Sequence, residues 1–310
     1  MQQGIYHVPV LLQEAIIGLK IIAGGTYVDC TLGGGGHSMK ILEQLNADGK
    51  LVVFDQDNDA KKNVPADERV IFVPHNFRHL QRFLRLHKIT KVNGVLADLG
   101  VSSHQINMPE RGFSTRFNAA LDMRMNQNEN ITASDVLKKY SEQQLHKIFE
   151  QYGEVTNSKT LAKAIVDIRK TESLNTISEF KNAVYPIVKG NPEKYFAQVF
   201  QALRIEVNQE LAALKEMLEQ SVEVLEDEGR LAIITFHSLE DRIVKNFFKN
   251  GSFETGDKTD LYGNPKRSAL KVITKKPITP SVQELKINPR SRSSKLRIAE
   301  KRKVSDKEVK

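Results

Sequence analysis

The sequence predicts an α/β protein: a parallel, doubly wound sheet interrupted by an all-helical insertion. Strand-like runs and amphipathic segments alternate through the first third of the chain. Helical grammar then dominates from about residue 126 to 225, and strand grammar returns after it. Strands that alternate with helices need crossovers of one hand, which lay helices over both faces of a parallel sheet.

The first four strand-like runs are TYVDCTL (26–32), KLVVFDQD (50–57), VIFVPHNF (70–77) and VNGVLADLGVSS (92–103). Each is rich in β-branched residues and bounded by turn formers. Between them SMKILEQL and HLQRFLRLH have helical apolar spacing, and a stretch near DAKKNVP has it weakly. The helical region comprises TASDVLKKYSEQQLHKIFEQYG, SKTLAKAIVDIRK, TISEFKNAVYPIVKG and the long PEKYFAQVFQALRIEVNQELAALKEMLEQSVEVL. Thr132 with Asp135 and Thr176 with Glu179 have the spacing of helix starts that satisfy their own first amides. EGRLAIITFHS (228–238) is a fifth strand, and the helix-like LEDRIVKNFFKN follows it. Beyond Lys266, ALKVITKKPIT is a further strand candidate and NPRSRSSKLRIAEKRK reads as a basic tail. The α/β domain is therefore expected at 1–115 and 209–310, its second part ending in that tail, with the helical insertion at 116–208.

A chain of 310 residues, 40% hydrophobic and 27% charged, has the balance of a globular protein able to bury a sizeable core. Its single cysteine, Cys30, excludes an internal disulfide and, lying within a strand, reads as buried filler. No apolar run reaches the roughly 18 residues of a membrane span. The opening MQQGIYHVPVLLQEAI lacks the basic-then-apolar order of a signal peptide, so a cytoplasmic location is expected. A net charge of +8 and a pI near 9.3 are compatible with a polyanionic partner.

The stretch TYVDCTLGGGGHS (26–38) sets the functional question. Four glycines between a strand and a helix bring bare backbone amides close to a ligand. The second strand ends in Asp55, where an acid grips ribose hydroxyls, so a nucleoside-containing cofactor is expected. The phosphate loop of nucleotide hydrolases needs lysine and then serine or threonine after the last glycine; this chain has His37 and Ser38. A dinucleotide would bring its pyrophosphate beside Asp29, which repels it. S-adenosylmethionine brings an ammonium and a sulfonium, which an acid attracts. DQDND (55–59) opens like a calcium loop, but Ala60 and Ala66 replace the turn glycine and the closing glutamate. His75 and His79 have a spacing that could hold a metal only on one helix and with a third ligand. No metal is expected.

DLGVSSHQ (98–105) and FHSLEDR (236–242) end the fourth and fifth strands, and such strand ends face the ligand crevice of open α/β sheets. Base-amino methyltransferases often have Asp/Asn-Pro-Pro-aromatic after the fourth strand. Here Asp98-Leu99-Gly100-Val101 stands instead, so the residues alone do not name a nucleobase amine.

The chain resembles the MraW family, bacterial methyltransferases of the cytosine N4 amine in small-subunit ribosomal RNA. The resemblance lies in HVPVLLQEA (7–15), CTLGGGGHS (30–38), DLGVSS (98–103), ERGFS (110–114) and LDMRM (121–125). FQALRIEVNQEL (200–211), ITFHSLEDRIVK (234–245) and NPRSRSSKLR (288–297) extend it almost end to end. It implies a class I S-adenosylmethionine-dependent methyltransferase sheet, Rossmann-like, with an inserted helical domain for substrate recognition. It implies 16S rRNA as partner, methylated in the decoding region within the small subunit, and S-adenosyl-L-methionine as cofactor. Cofactor contacts are implied at Gly35, Gly36, His37, Asp55, Phe77, Asp98 and Gln105. The chain departs from the family pattern at His104, where proline is usual, at NAALDMRMN (118–126) and at YGEVTNSKTLA (152–162).

Methyl transfer to an amine needs positioning and, as the amine sheds a proton, a nearby acceptor. Asp98, Ser102 and His237 are all candidates, and the sequence does not choose among them. Two rivals remain at this level: a dinucleotide oxidoreductase, and a non-catalytic RNA-binding or assembly factor on the same fold.

Overall fold

The computed structural model describes residues 9–253 and 268–303; His7 and Val8 of the first family segment lie outside them. In chain order, α1 (Leu12–Leu19) precedes β1 (Thr26–Asp29), α2 (Gly36–Leu42), β2 (Lys50–Phe54) and β3 (Val70–Val73). Next come α3 (Leu80–Leu86), β4 (Val92–Asp98), α4 (Ser103–Asn107), α5 (Ala133–Lys139) and α6 (Glu142–Gln151). They are followed by α7 (Ser158–Ile168), α8 (Ile177–Val184), α9 (Pro192–Asn208) and α10 (Glu210–Val224). The last elements are β5 (Leu225–Thr235), α11 (Ser238–Asn250), β6 (Leu270–Val272), α12 (Val282–Ile287) and β7 (Lys295–Lys301). The chain forms two compact units, one of Met1–Gly100 with Leu211–Lys310 and one of Val101–Glu210.

The first unit is built on a seven-stranded sheet in the order β3-β2-β1-β4-β5-β7-β6. β1 to β5 run parallel, while β7 is antiparallel to both its neighbours. This is the sheet expected of a class I methyltransferase. Successive residues of each strand alternate between two cores. Val28, Val52 and Val95 face one core with Leu80, Leu84, Met217 and Phe247, from α3, α10 and α11. Tyr27, Leu51 and Leu96 face the other with Ala15, Ile16 and Ile41, from α1 and α2. The strand order reverses between β1 and β4, so a switch-point crevice opens at the carboxyl ends of these two strands.

The second unit is helical and has its own core, which includes Phe149, Phe180, Phe196 and Phe200. Thr132 and Thr176 cap their helices with Asp135 and Glu179 as the spacing predicts. Ser141 does the same with Gln144, which divides TASDVLKKYSEQQLHKIFEQYG into α5 and α6. The longest helical reading also breaks, at Gln209, whose left-handed φ of 50° separates α9 from α10.

Segment 101–115, placed by sequence with the sheet, belongs to the helical unit. The buried Arg111 explains this, because its guanidinium donates to the carbonyls of Arg124 (3.1 Å) and Met125 (3.0 Å). The basic tail needs a larger correction. KLRIAEK is strand β7, and the preceding 289–293 forms a 3-10 turn. Arg297 is buried in a double hydrogen bond to Asp241, with Nε–Oδ1 at 2.6 Å.

Candidate active site

The carboxyl ends of the parallel strands collect the residues singled out by sequence. Along the rim, in the sheet's own order, stand Phe77 after β3, Asp55 after β2, the glycine turn after β1 and Asp98 at the end of β4. Adjacent strands lie about 5 Å apart. Segments some twenty residues apart in sequence thus become neighbours.

The glycine turn is held by side chains of the same rim. Asp29, almost wholly buried, accepts from the Ser38 hydroxyl (2.6 Å) and from the Thr31 amide (3.0 Å). Asp55 accepts from the amides of Gly33 (2.8 Å) and Asp57 (2.9 Å), so it ties the turn to β2. Asn63 Nδ2 donates to the Gly33 carbonyl at 2.6 Å. Gly35 has φ of 79°, and a Cβ there would stand 2.9 Å from the Asn63 carbonyl oxygen. A Cβ on Gly36 would meet Pro9 Cγ at 2.1 Å, whereas one on Gly34 would touch nothing within 4 Å.

His37 is buried at the start of α2, with Nε2 donating to the Val10 carbonyl (3.1 Å) and Nδ1 3.7 Å from Asp98 Oδ2. The amide of Asp98 donates to Thr31 Oγ1 at 2.7 Å, which ties the ends of β1 and β4 together. Asp98 Oδ1 is buried and has no hydrogen-bond partner among the described residues. Burial, followed by the charges of Asp29, Glu240 and Glu284, pushes its carboxyl well above the usual range. A buried acceptor without a donor is costly. It is met most simply by a ligand that brings a donor or a positive charge.

The sequence model of the MraW methylase family matches residues 4–302. The chain belongs to the MraW methylase family. It is 52% identical over 298 residues to the ribosomal RNA small subunit methyltransferase H of Bacteroides thetaiotaomicron, covering 96% of this chain and 98% of that protein. The protein of the same name from Flavobacterium psychrophilum is 50% identical over 293 residues, 94% of this chain and all of that one.

Not every residue implied by the MraW resemblance stands on the sheet's rim. Gln105 belongs to the helical unit, where its side-chain oxygen accepts from the Ser102 amide (3.0 Å) and its amide donates to Ser102 Oγ (3.2 Å). Ser102 is thus occupied as the cap of α4. His237 likewise caps α11, and its ring lies against Glu240 (Nε2–Oε1 3.2 Å). His75 stacks on Phe83 with ring centroids 4.5 Å apart, an aromatic contact rather than a helical pair with His79.

The MraW departures keep folded partners. His104 sits in the first turn of α4, Asn118 accepts from the Ser178 amide (3.2 Å), and Asn157 donates to the Ile187 carbonyl (2.9 Å). Sequence reasoning missed Thr31, Ser38 and Asn63 as parts of the rim. The first two flank the glycines and were within reach of a capping argument. Asn63 has no local signal, because its partner is 30 residues away.

Among the described residues no helix is long and apolar enough to cross a membrane.

Proposed function

We propose that this protein methylates small-subunit ribosomal RNA in the cytoplasm. The methyl group of S-adenosylmethionine passes to the exocyclic N4 amine of a cytidine in the decoding region of 16S rRNA. The observation that carries this reading is Asp98, a carboxylate on the switch-point rim with a buried, unpartnered oxygen. A rim of acids suits a cationic donor and disfavours a phosphate-bearing one. The names of the relatives support small-subunit ribosomal RNA as the substrate.

We assign the cofactor to Gly35, Gly36, His37, Asp55, Phe77 and Asp98 on the rim; Gln105 is implied by the family resemblance alone. When bound, S-adenosylmethionine supplies a methyl carbon made electrophilic by its sulfonium. The protein's own work is then mostly positioning. The strained glycine turn fixes a backbone surface, Asp55 stands at the end of the second strand where an acid grips ribose hydroxyls, and Phe77 offers an apolar ring. Asp98 accepts the hydrogen bond of the target amine as its nitrogen pyramidalises and sheds a proton. Ser102 and His237 are the weaker candidates because each already caps a helix. A base paired in its helix would have to leave the stack to reach this rim.

The test is transfer of tritiated methyl from the cofactor to small subunits purified from cells lacking the modification. Label in 16S rRNA supports the proposal. Cofactor and subunit binding without label would favour the non-catalytic assembly factor.

A further inference from the structure

On α11 the acids turn inward and the cations outward. Glu240 and Asp241 are buried, whereas Arg242, Lys245 and Lys249 are exposed. Glu240 accepts from the Phe236 amide (2.8 Å), and Asp241 is held by Arg297 and by Lys295 Nζ (3.4 Å). Spacings of three and four residues put the three cations on one face. Lys245 and Lys249 stand about 6 Å apart along the axis. The large apolar residues Val244, Phe247 and Phe248 are buried in the core beneath.

The same charge sign continues beside the helix. Lys295 opens β7 opposite Thr235, and the 3-10 turn before it exposes Arg290 and Arg292. Neither α11 nor this turn exposes an acid. By contrast α10, on the same face of the sheet, exposes both Lys215 and Glu219. An ordinary solvated helix mixes signs; one that hides its acids and shows cations without exposed aliphatics is suited to hydrated phosphate.

We propose that the outer face of α11 and the adjoining 289–295 turn form a track for the phosphate backbone of the RNA substrate. The inference rests on the reading of the chain as a ribosomal RNA methyltransferase and adds where that RNA is held. Each phosphate neutralised releases counterions, so the logarithm of affinity falls by about 0.7–0.9 per contact for each tenfold rise in salt.

The experiment measures binding of the full chain to unmodified small subunits across a salt series, for wild type, Lys245→Ala with Lys249→Ala, and a control, Lys50→Ala with Lys91→Ala. The control removes two exposed lysines at the amino ends of β2 and β4, the edge of the sheet opposite the rim. The α11 pair is expected to weaken binding roughly ten- to thirtyfold at 0.15 M salt and to flatten the slope by about 1.4–1.8. Cofactor affinity, and kcat at saturating subunit, should stay at the wild-type value, and the control should bind as wild type. Unchanged affinity and slope in the α11 variant would overturn the proposal, and so would an equal loss in the control, which would reduce the effect to net charge. Wild-type protein that binds cofactor yet neither binds nor methylates subunits would instead overturn the functional reading, and the track with it.

Discussion

Asp29 and Asp98 end neighbouring strands, and the fold buries Asp29 almost wholly and one carboxyl oxygen of Asp98. Burial pushes Asp29 up to about 6, against the hydrogen bonds from Ser38 and Thr31 and with some help from the charge of Asp55. Between its ordinary value and about 6 the folded chain keeps a proton that the unfolded chain has released. This group's contribution to stability is therefore fully present at low pH and falls as pH rises through that window, by on the order of 3 kcal/mol. Asp29→Asn should flatten the fall in stability between about pH 4 and 6, measured by denaturant titration. An amide can still accept from Thr31 and can donate to Ser38 Oγ. An unchanged pH profile would mean that Asp29 does not titrate there. The sequence identified Asp29 as an attractor for a cationic cofactor, but its oxygens clasp the turn, and Asp98 carries the unpartnered one. Asp98→Asn should keep or raise the melting temperature, since a neutral amide is cheaper to bury. It should also lower kcat for methyl transfer by about 10²–10⁴-fold, the usual worth of a positioned proton acceptor. Wild-type kcat in a folded variant would remove Asp98 from that role.

The glycine turn and strand β7 show what local patterns reveal about an element and what they hide. Four glycines signalled a turn, but not which of them it depends on. Gly35→Ala should destabilise by about 1–2 kcal/mol from handedness alone, and more from contact with the Asn63 carbonyl, and it should weaken cofactor binding. Gly34→Ala, with open space and no left-handed φ, should fall within about 0.5 kcal/mol of wild type. Equal melting temperatures for the two variants would show that the turn is not strained as described. The parallel strands were legible because β-branched runs alternated with helices. β7 was not, because KLRIAEK reads as a charged segment, and the partner that makes its central arginine tolerable is 56 residues earlier in the chain. Burial pushes Asp241 up, but the hydrogen bonds and charge of Arg297, with Lys295, outweigh it and leave the carboxyl below its usual value. Arg297→Ala would strand that buried acid and should cost about 3–5 kcal/mol by chemical denaturation. Arg292→Ala, at an exposed turn position, should cost under about 0.5 kcal/mol. Similar losses from both would place the two arginines in one structural role.

At the scale of the whole chain, the change from strand to helix grammar and back located the insertion, since hydrophobic period is a property of long segments. Its start was not legible. The Arg111 bonds that tie 101–115 to the helical unit reach carbonyls more than ten residues ahead, and no local pattern announces them. The rim was legible as a set of strand ends, because a doubly wound sheet sends every parallel strand to the same edge. Gln105 was implied as a cofactor contact only by family resemblance, and the fold puts it in the other unit. The central claim is that this rim methylates one cytidine amine of 16S rRNA. Mass spectrometry of nuclease-digested 16S rRNA, taken from unmodified subunits treated with the protein and cofactor, tests it most directly. One decoding-region fragment should gain a single methyl group carried on N4-methylcytidine, and the gain should nearly vanish with Asp98→Asn. A methyl group found on a ring carbon, on ribose or on another base, or no gain with the cofactor bound, would contradict it.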